Sequence, residues 1–356
     1  MERKWNDWKW QLRNSLKIPL LPETAPVAEE FPVRVTPYYR GLMETDRIPD
    51  DPLYRQVFPD IREMEDSCGD ALDPLAEEHQ MPVPNLIHRY RDRAVLLTTN
   101  ACAVHCRFCL RKRNWKRGRG EFRLNDQAMD TIVEYLSQHK EINEVLVSGG
   151  DPLLLENLQL KKIILRISQI ENISIIRLGT RVPAVLPMRI DDELADMLAE
   201  IPGLWVATHF NHPREVTEEA VSACSKLLKR GIPILNQTVL LKNINDDAEI
   251  LCRLFHSLAV NRIKPHYLFH IDPVAGNAHF ATGIEKGLKI MREFRNSLSS
   301  LETPVFAIDL PGGGGKVPLM PEYRQKDGFE ALDGTVIPYL ISPSCSDSQA
   351  APEKSL

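Results

Sequence analysis

From about residue 93 the chain alternates between two patterns. Short apolar runs rich in β-branched residues, at 94–99, 144–148, 174–178, 204–208, 232–240 and 264–270, have the length and composition of strands. Between them, near 126–139, 155–169, 191–200, 217–230 and 246–260, apolar residues recur every three to four positions, the period of a helix with one buried face. This alternation implies parallel strands joined by crossover helices. The six units predict an α/β fold, a partial parallel (β/α)6 barrel. A further helical stretch, 283–298, leads to a seventh run at 304–310. Residues 1–84 are polar, rich in proline and helical in places, an N-terminal extension ahead of a barrel over 85–300. A segment over 301–341 follows, then a Ser/Pro/Ala/Glu-rich tail, 342–356, of disordered composition.

Composition narrows the function classes. With 43% hydrophobic residues in 356, a sizeable core is available. A net charge of -5 argues against a bulk nucleic-acid or anionic-membrane partner. No apolar run reaches the ~18 residues of a membrane span, and the polar, Trp-rich N-terminus is no signal peptide. Seven cysteines, three of them clustered, fit a reducing cytoplasm better than a disulfide scaffold. Cys224 and Cys252 fall on apolar helical faces and read as core, whereas Cys68 and Cys345 carry no signal. A local basic cluster, Arg107, Arg111, Lys112, Arg113, Lys116, Arg117 and Arg119, reads as a solvated loop beyond Lys112.

The unusual polar residues follow the strand-like runs. In barrels of parallel strands those C-terminal ends converge on one mouth, where chemistry sits. After the first run come Cys102, Cys106 and Cys109, spaced C-x3-C-x2-C. Three thiolates can hold three irons of a [4Fe–4S] cube and leave the fourth open to a small molecule. A structural zinc site closes with four ligands, and His105 stands too close to Cys106 to turn easily onto the same metal. The spacing resembles that of radical S-adenosylmethionine (SAM) enzymes. After the second run come Ser148, Gly149, Gly150 and Asp151. In isolation they read as a tight strand-to-helix turn; one unit beyond the cysteines they look like the glycine-rich motif that holds the SAM amino group. Further on, Asp309 precedes Pro311, four glycines and Lys316. A phosphate loop needs GxxxxGK[ST]; here Leu310 stands where its first glycine belongs and Val317 follows the lysine. Read alone, the stretch is a flexible surface loop, although a lysine on such a mobile glycine arm also suits a Schiff base with pyridoxal phosphate (PLP).

Taken together, the stretches 5–11, 88–93, the cysteine loop, 148–152, 208–213, 236–237 and 309–318 make the chain resemble the lysine 2,3-aminomutase family over residues 5 to 323. The resemblance implies an isomerase with three cofactors: a [4Fe–4S] cluster on Cys102, Cys106 and Cys109; SAM among Ser148, Gly149, Gly150, Asp151, Thr180, Arg181 and His209; and PLP on Lys316, held by Arg89, Tyr90, Arg93, Asn236 and Gln237. Guanidinium forks match phosphate oxygens, which supports the arginines independently. Arg111 would take the substrate carboxylate, and Asp272 and Asp309 the distal ammonium, since buried carboxylates want a cation; read alone, either aspartate is also a turn cap, Asp272 preceding Pro273. This disfavours glutamate as substrate. The implied reaction is L-lysine to L-β-lysine by PLP-assisted 2,3-amino migration, started by a 5′-deoxyadenosyl radical. Alternatives are an elongation factor P-type (R)-β-lysine-forming relative, an arginine 2,3-aminomutase, a PLP-free radical SAM enzyme and an inactive cluster-binding protein. The family's shared zinc site is not expected, because Cys345 is the sole cysteine after Cys252 and Asp247 stands at the matching barrel position. The resemblance also implies a flavodoxin- or ferredoxin-like electron donor, a homo-oligomer and a cytoplasmic location.

Overall fold

The structure, a computed structural model, describes residues 2–15, 20–65, 71–116, 118 and 120–339. The tail over 342–356, Cys345 and Cys68 lie outside the described residues. The chain forms two compact units, Met1–Leu319 and Met320–Leu356.

The first unit is built on a nine-stranded sheet whose strands neighbour one another in chain order: β1 Leu86–Tyr90, β2 Arg93–Leu97, β3 Glu144–Ser148, β4 Ile175–Gly179, β5 Leu204–Thr208, β6 Ile234–Leu240, β7 Ile263–His270, β8 Val305–Leu310 and β9 Gly315–Leu319. Strands β2 to β8 run parallel. The six expected runs are there, and the seventh joins them as β8. Two strands the hydrophobic pattern did not announce, β1 and β9, pair antiparallel on the two edges. The sheet curls until those edges almost meet: the Lys316 backbone N–H on β9 donates to the Tyr90 hydroxyl on β1 at 2.8 Å.

The crossovers are α1 Asp126–Gln138, α2 Asn157–Ser168, α3 Asp192–Ala199, α4 Glu218–Lys229, α5 Ala248–Val260 and α6 Ile284–Ser297. Side-chain caps fix where four of them start, through Asn125, Asp191, Thr217 and Asp247, each accepting a first-turn N–H. Asp247 is thereby occupied as a cap. In β3 and β4 the residues Val145, Val147, Ile176 and Leu178, 0–1% exposed, pack against the helices. The alternate residues, Glu144, Leu146, Ser148, Arg177 and Gly179, face the barrel interior, as the period of two requires. Cys224 is buried in that outer layer, and Cys252 packs against it.

The N-terminal residues form short helices and 3-10 turns, and their Tyr38, Tyr39, Leu53 and Val57 belong to the same core as the barrel. They also bind the cysteine loop. Arg107 and Lys112 are fully buried on Glu63, with Arg107 Nη2 and Lys112 Nζ each 2.6 Å from its carboxylate. Arg113 corrects the expected solvated loop: it is 3% exposed and paired with Glu77 and Asp73. A guanidinium can be buried there because two carboxylates from the extension reach it. Arg117 and Arg119 lie outside the described residues. In the second unit, β10 Arg324–Gln325, β11 Gly328–Glu330 and β12 Val336–Ile337 make a small antiparallel sheet. Among the described residues no helix is long and apolar enough to cross a membrane.

Candidate functional site

A cavity of about 820 Å³ occupies the barrel. Every cofactor- and substrate-site residue that the resemblance implies lines it except Gly149 and Asn236. The strand endings have thus gathered residues from 89 to 316 around one space.

At the mouth are the three cysteines. Burial, and then the neighbouring thiol of Cys106, push the Cys109 thiol up to about 11, while burial followed by Cys109 raises Cys102 well above its ordinary value. Buried thiolates that repel one another need a cation, and cluster irons meet that need. His105 is no rival ligand. Its Nδ1 lies 2.7 Å from the Pro32 carbonyl, and its ring stacks on Trp115 with centroids 4.5 Å apart. Among the described residues no three His, Cys, Asp or Glu side chains converge on a single metal ion. A cube does not ask for that, because each cysteine binds its own iron.

The two glycines of the Ser148–Asp151 turn are required by close packing between two loops. A Cβ on Gly149, whose φ is +132°, would lie 2.3 Å from the Thr99 carbonyl oxygen, and one on Gly150 would lie 2.3 Å from that of Ala101. The glycines let the loop after β3 press on the loop carrying the cysteines, and the Asp151 N–H donates to Ala101 O at 2.8 Å. The Asp151 carboxylate is likewise engaged, accepting from the Thr180 hydroxyl at 2.8 Å and the Arg181 N–H at 2.8 Å. These residues lock three loops together around the cavity, and Ser148 and Gly150 remain at its wall. The buried Nε2 of His209 and Oγ1 of Thr208 have no hydrogen-bond partner among the described residues. Burial, then Arg181, push His209 down to about 3, so it presents a neutral ring. Polar atoms left open beside the cysteines fit a polar cofactor such as SAM.

Asn236 is a correction. Neighbours on a strand face opposite ways, so with Gln237 turned into the cavity Asn236 points to the helix side. Its carboxamide accepts from the Phe210 N–H at 2.8 Å and donates to Thr238 Oγ1 at 2.8 Å. It braces the loop after β5 instead of touching a cavity ligand.

On β9, Lys316 Nζ stands 2.7 and 3.0 Å from the Asp309 carboxylate oxygens. Beneath it, 4.3 Å away, is the ring of Phe269, stacked on Tyr267 at 4.8 Å. An amine over an aromatic face, with Arg89, Arg93 and Gln237 nearby on the wall, fits a flat phosphorylated aldehyde such as PLP. Arg93 lies over the Tyr90 ring at 3.8 Å and pairs with Asp92. Arg89 donates to Gln80 Oε1 at 2.7 Å and Leu75 O at 3.0 Å. Burial, then Asp309, raise the Asp272 carboxyl to about 7. Arg111 is held side-on by Glu77, with Nη2 2.8 Å from Oε1 and Nε 2.9 Å from Oε2, and its Nη1 reaches Ser148 Oγ at 3.2 Å. Burial alone would raise Glu77, but Arg111 and Arg113 outweigh it and keep the carboxyl below its usual range.

Several lining residues escaped the sequence reading: Glu77, the Arg177–Glu144 pair, His266 and the Phe269 platform. Strand alternation carried a signal for Arg177, Glu144 and Phe269, which sit at inward positions. Nothing local distinguishes Glu77, which reaches the site from the N-terminal extension.

Residues 96–255 match the Radical SAM superfamily. A protein of Aquifex aeolicus, provisionally named L-lysine 2,3-aminomutase, is 42% identical over 96% of both chains. The L-lysine 2,3-aminomutase of Fusobacterium nucleatum is 40% identical over 90% of this chain and 78% of its own. The glutamate 2,3-aminomutase of Clostridioides difficile is 37% identical over 92% and 80%.

Proposed function

The chain belongs to the lysine 2,3-aminomutase family of radical SAM enzymes, and from that membership we propose that it converts L-lysine to L-β-lysine by moving the amino group from C2 to C3. The observation that favours lysine over glutamate is the pair of carboxylates, Asp272 and Asp309, on the cavity wall beside Lys316. A distal ammonium is matched there, while a distal carboxylate would meet two like charges.

When bound, the cluster and SAM supply a carbon radical that takes hydrogen from C3, and PLP supplies the π system that carries the migrating nitrogen. The chain's own residues bind, orient and exclude. Cys102, Cys106 and Cys109 hold the cluster at the mouth. Ser148, Gly150, Thr180 and His209 line the SAM side, with Asp151 and Gly149 keeping that wall in place. Lys316, whose amine lies over the Phe269 ring, would hold PLP, with Arg89, Tyr90, Arg93 and Gln237 on the same cavity wall available to its phosphate. Arg111 takes the substrate carboxylate on the edge that Glu77 leaves open. The reaction draws its electron from a flavodoxin- or ferredoxin-like donor, in a homo-oligomer in the cytoplasm.

Asp272 gives the reading a pH signature. The carboxyl is neutral below about 7 and charged above it, so one of the two counter-charges for the ammonium is missing in acid. The kcat/KM for lysine should therefore rise as pH increases through 7, and Asp272→Asn should flatten that step. The sign for stability is opposite. With a folded value of about 7 and an ordinary value of 3.8, the folded state holds the extra proton between them, so stability falls as pH rises across that window. An unchanged pH step in Asp272→Asn would remove Asp272 from the ammonium site.

The deciding experiment incubates the anaerobically reconstituted chain with SAM, PLP, a reductant and L-lysine, and resolves the products by chiral chromatography with mass detection. L-β-lysine is the expected product. A loaded cluster that cleaves SAM yet yields no β-lysine would overturn the substrate assignment, and conversion of L-arginine in the same assay would replace it.

A further inference from the structure

Arg181 is committed to a buried network that none of the cofactor roles explains. Its Nη1 donates to Cys106 Sγ at 2.7 Å. Its Nη2 donates to Gln56 Oε1 at 2.6 Å and to Glu215 Oε1 at 2.8 Å. Glu215 is fully buried and accepts four bonds: from Arg181, from the Tyr39 hydroxyl at 2.6 Å, and from the backbone N–H groups of Asn211 at 2.6 Å and His212 at 3.0 Å. Gln56 also accepts from Asn211 Nδ2 at 3.0 Å. The N-terminal extension, the loop after β4 and the loop after β5 thus meet behind one cysteine sulfur. No side chain of this network reaches the other two cysteines with a comparable donor: among the described residues, Cys109 receives only the Arg111 backbone N–H, at 3.4 Å.

We propose that Arg181 raises the reduction potential of the cluster through its hydrogen bond to Cys106, and that Glu215 is the positioning residue that holds it there and moderates its charge. The inference rests on the cluster reading above. One electron from a low-potential donor takes [4Fe–4S]2+ to [4Fe–4S]+ and adds one negative charge to the site. A guanidinium donating to a ligand sulfur stabilises that added charge, and donors to cluster sulfurs are among the levers that set such potentials. Glu215 opposes the effect electrostatically, since its carboxylate lies on the far side of the same guanidinium. Gln56, whose Oε1 lies 2.6 Å from Nη2, shares the task of holding the guanidinium on Cys106, so the donor stays in place when the charge at Glu215 is removed.

The two residues therefore have opposite signatures. The cluster is reconstituted in the full chain, poised at a series of potentials with dithionite, and read by the electron paramagnetic resonance signal of [4Fe–4S]+. Arg181→Gln should move the midpoint to a more negative potential. Glu215→Gln should move it to a more positive one, because a negative charge is lost while the donor stays. Arg181→Lys keeps the charge without the fork, cannot hold Cys106, Gln56 and Glu215 together, and should fall between wild type and Arg181→Gln. It also serves if Arg181→Gln does not assemble. Midpoints that stay in place, or that shift in the same direction in Arg181→Gln and Glu215→Gln, overturn the inference, since a purely structural role predicts one of those results. A wild-type chain that assembles no cluster overturns the cluster reading and this inference with it; a loaded wild type with unmoved variants overturns this inference alone.

Discussion

Lys316→Ala will lose β-lysine formation by ~10³-fold or more while its cluster absorbance stays at the wild-type level. The separation follows from placement. Lys316 sits on β9, and its ammonium contacts Asp309 and the Phe269 face, whereas the three cysteines belong to the loop after β2. No bond links the Lys316 side chain to that loop; its polar partner is Asp309, and it is a quarter exposed. Removing it leaves the sheet register intact, since the Lys316 N–H that bonds Tyr90 belongs to the backbone. The loss is of the amine that anchors PLP, and a small amine added to the medium cannot restore the aim that β9 imposes. Borohydride reduction of the PLP-loaded wild type followed by peptide mapping should place the pyridoxyl group on Lys316, and the variant should show none. Cluster absorbance lost along with activity would mean that Lys316 supports the fold of the mouth, and the assignment would fail.

Glu63→Ala should lower folding stability by roughly 3–5 kcal/mol, because removing one member of a buried ion pair leaves uncompensated charge. Two cations are stranded: Arg107 and Lys112, both within 1% of full burial. Arg107 is the stronger partner, with Nε 2.9 and 3.1 Å from the two carboxylate oxygens and Nη2 at 2.6 Å. Burial alone would raise the Glu63 carboxyl; Arg107 and then Lys112 hold it below the usual range. That stabilisation is present at neutral pH and is lost as pH falls through the depressed value, so the variant and the wild type should converge in acid. Because Arg107 lies between Cys106 and Phe108, the damage reaches the cluster loop, and iron content should fall together with the denaturant midpoint. A change within ~1 kcal/mol would show that the cavity admits water to the cations, and the buried-triad account would be wrong.

The alternation of apolar runs was enough to foresee six parallel strands, their crossover helices and the end of the barrel at which chemistry collects. Hydrophobic period reports which face of a local element is buried, and that is a property of neighbouring residues. The three cysteines and the Ser-Gly-Gly-Asp turn were equally legible, since each is a short cluster of unusual residues in a fixed order; Lys316 stood out too, but as a mobile arm, whereas it lies in a paired strand. The edge strands β1 and β9 were not, being polar and partly exposed on one side. The helix-side placement of Asn236 could have been read from its neighbour Gln237, because a strand cannot turn both inward.

Partnership between distant charges belonged to the tertiary structure alone. Glu63 and Arg107 are 44 residues apart, Glu77 and Arg111 34, and Gln56 and Arg181 125. No periodicity encodes such pairs, because they form where the N-terminal extension closes over the mouth of the barrel. Burial then decides their value. The same arginine is a solvated surface charge in a loop and a fixed donor once a carboxylate meets it out of water. The chain's order of residues thus determined the barrel and the identity of its reactive groups. The packing of the extension decided which of those groups are free to meet a ligand and which are already held, as Arg181 is by Glu215 and Arg113 by Glu77.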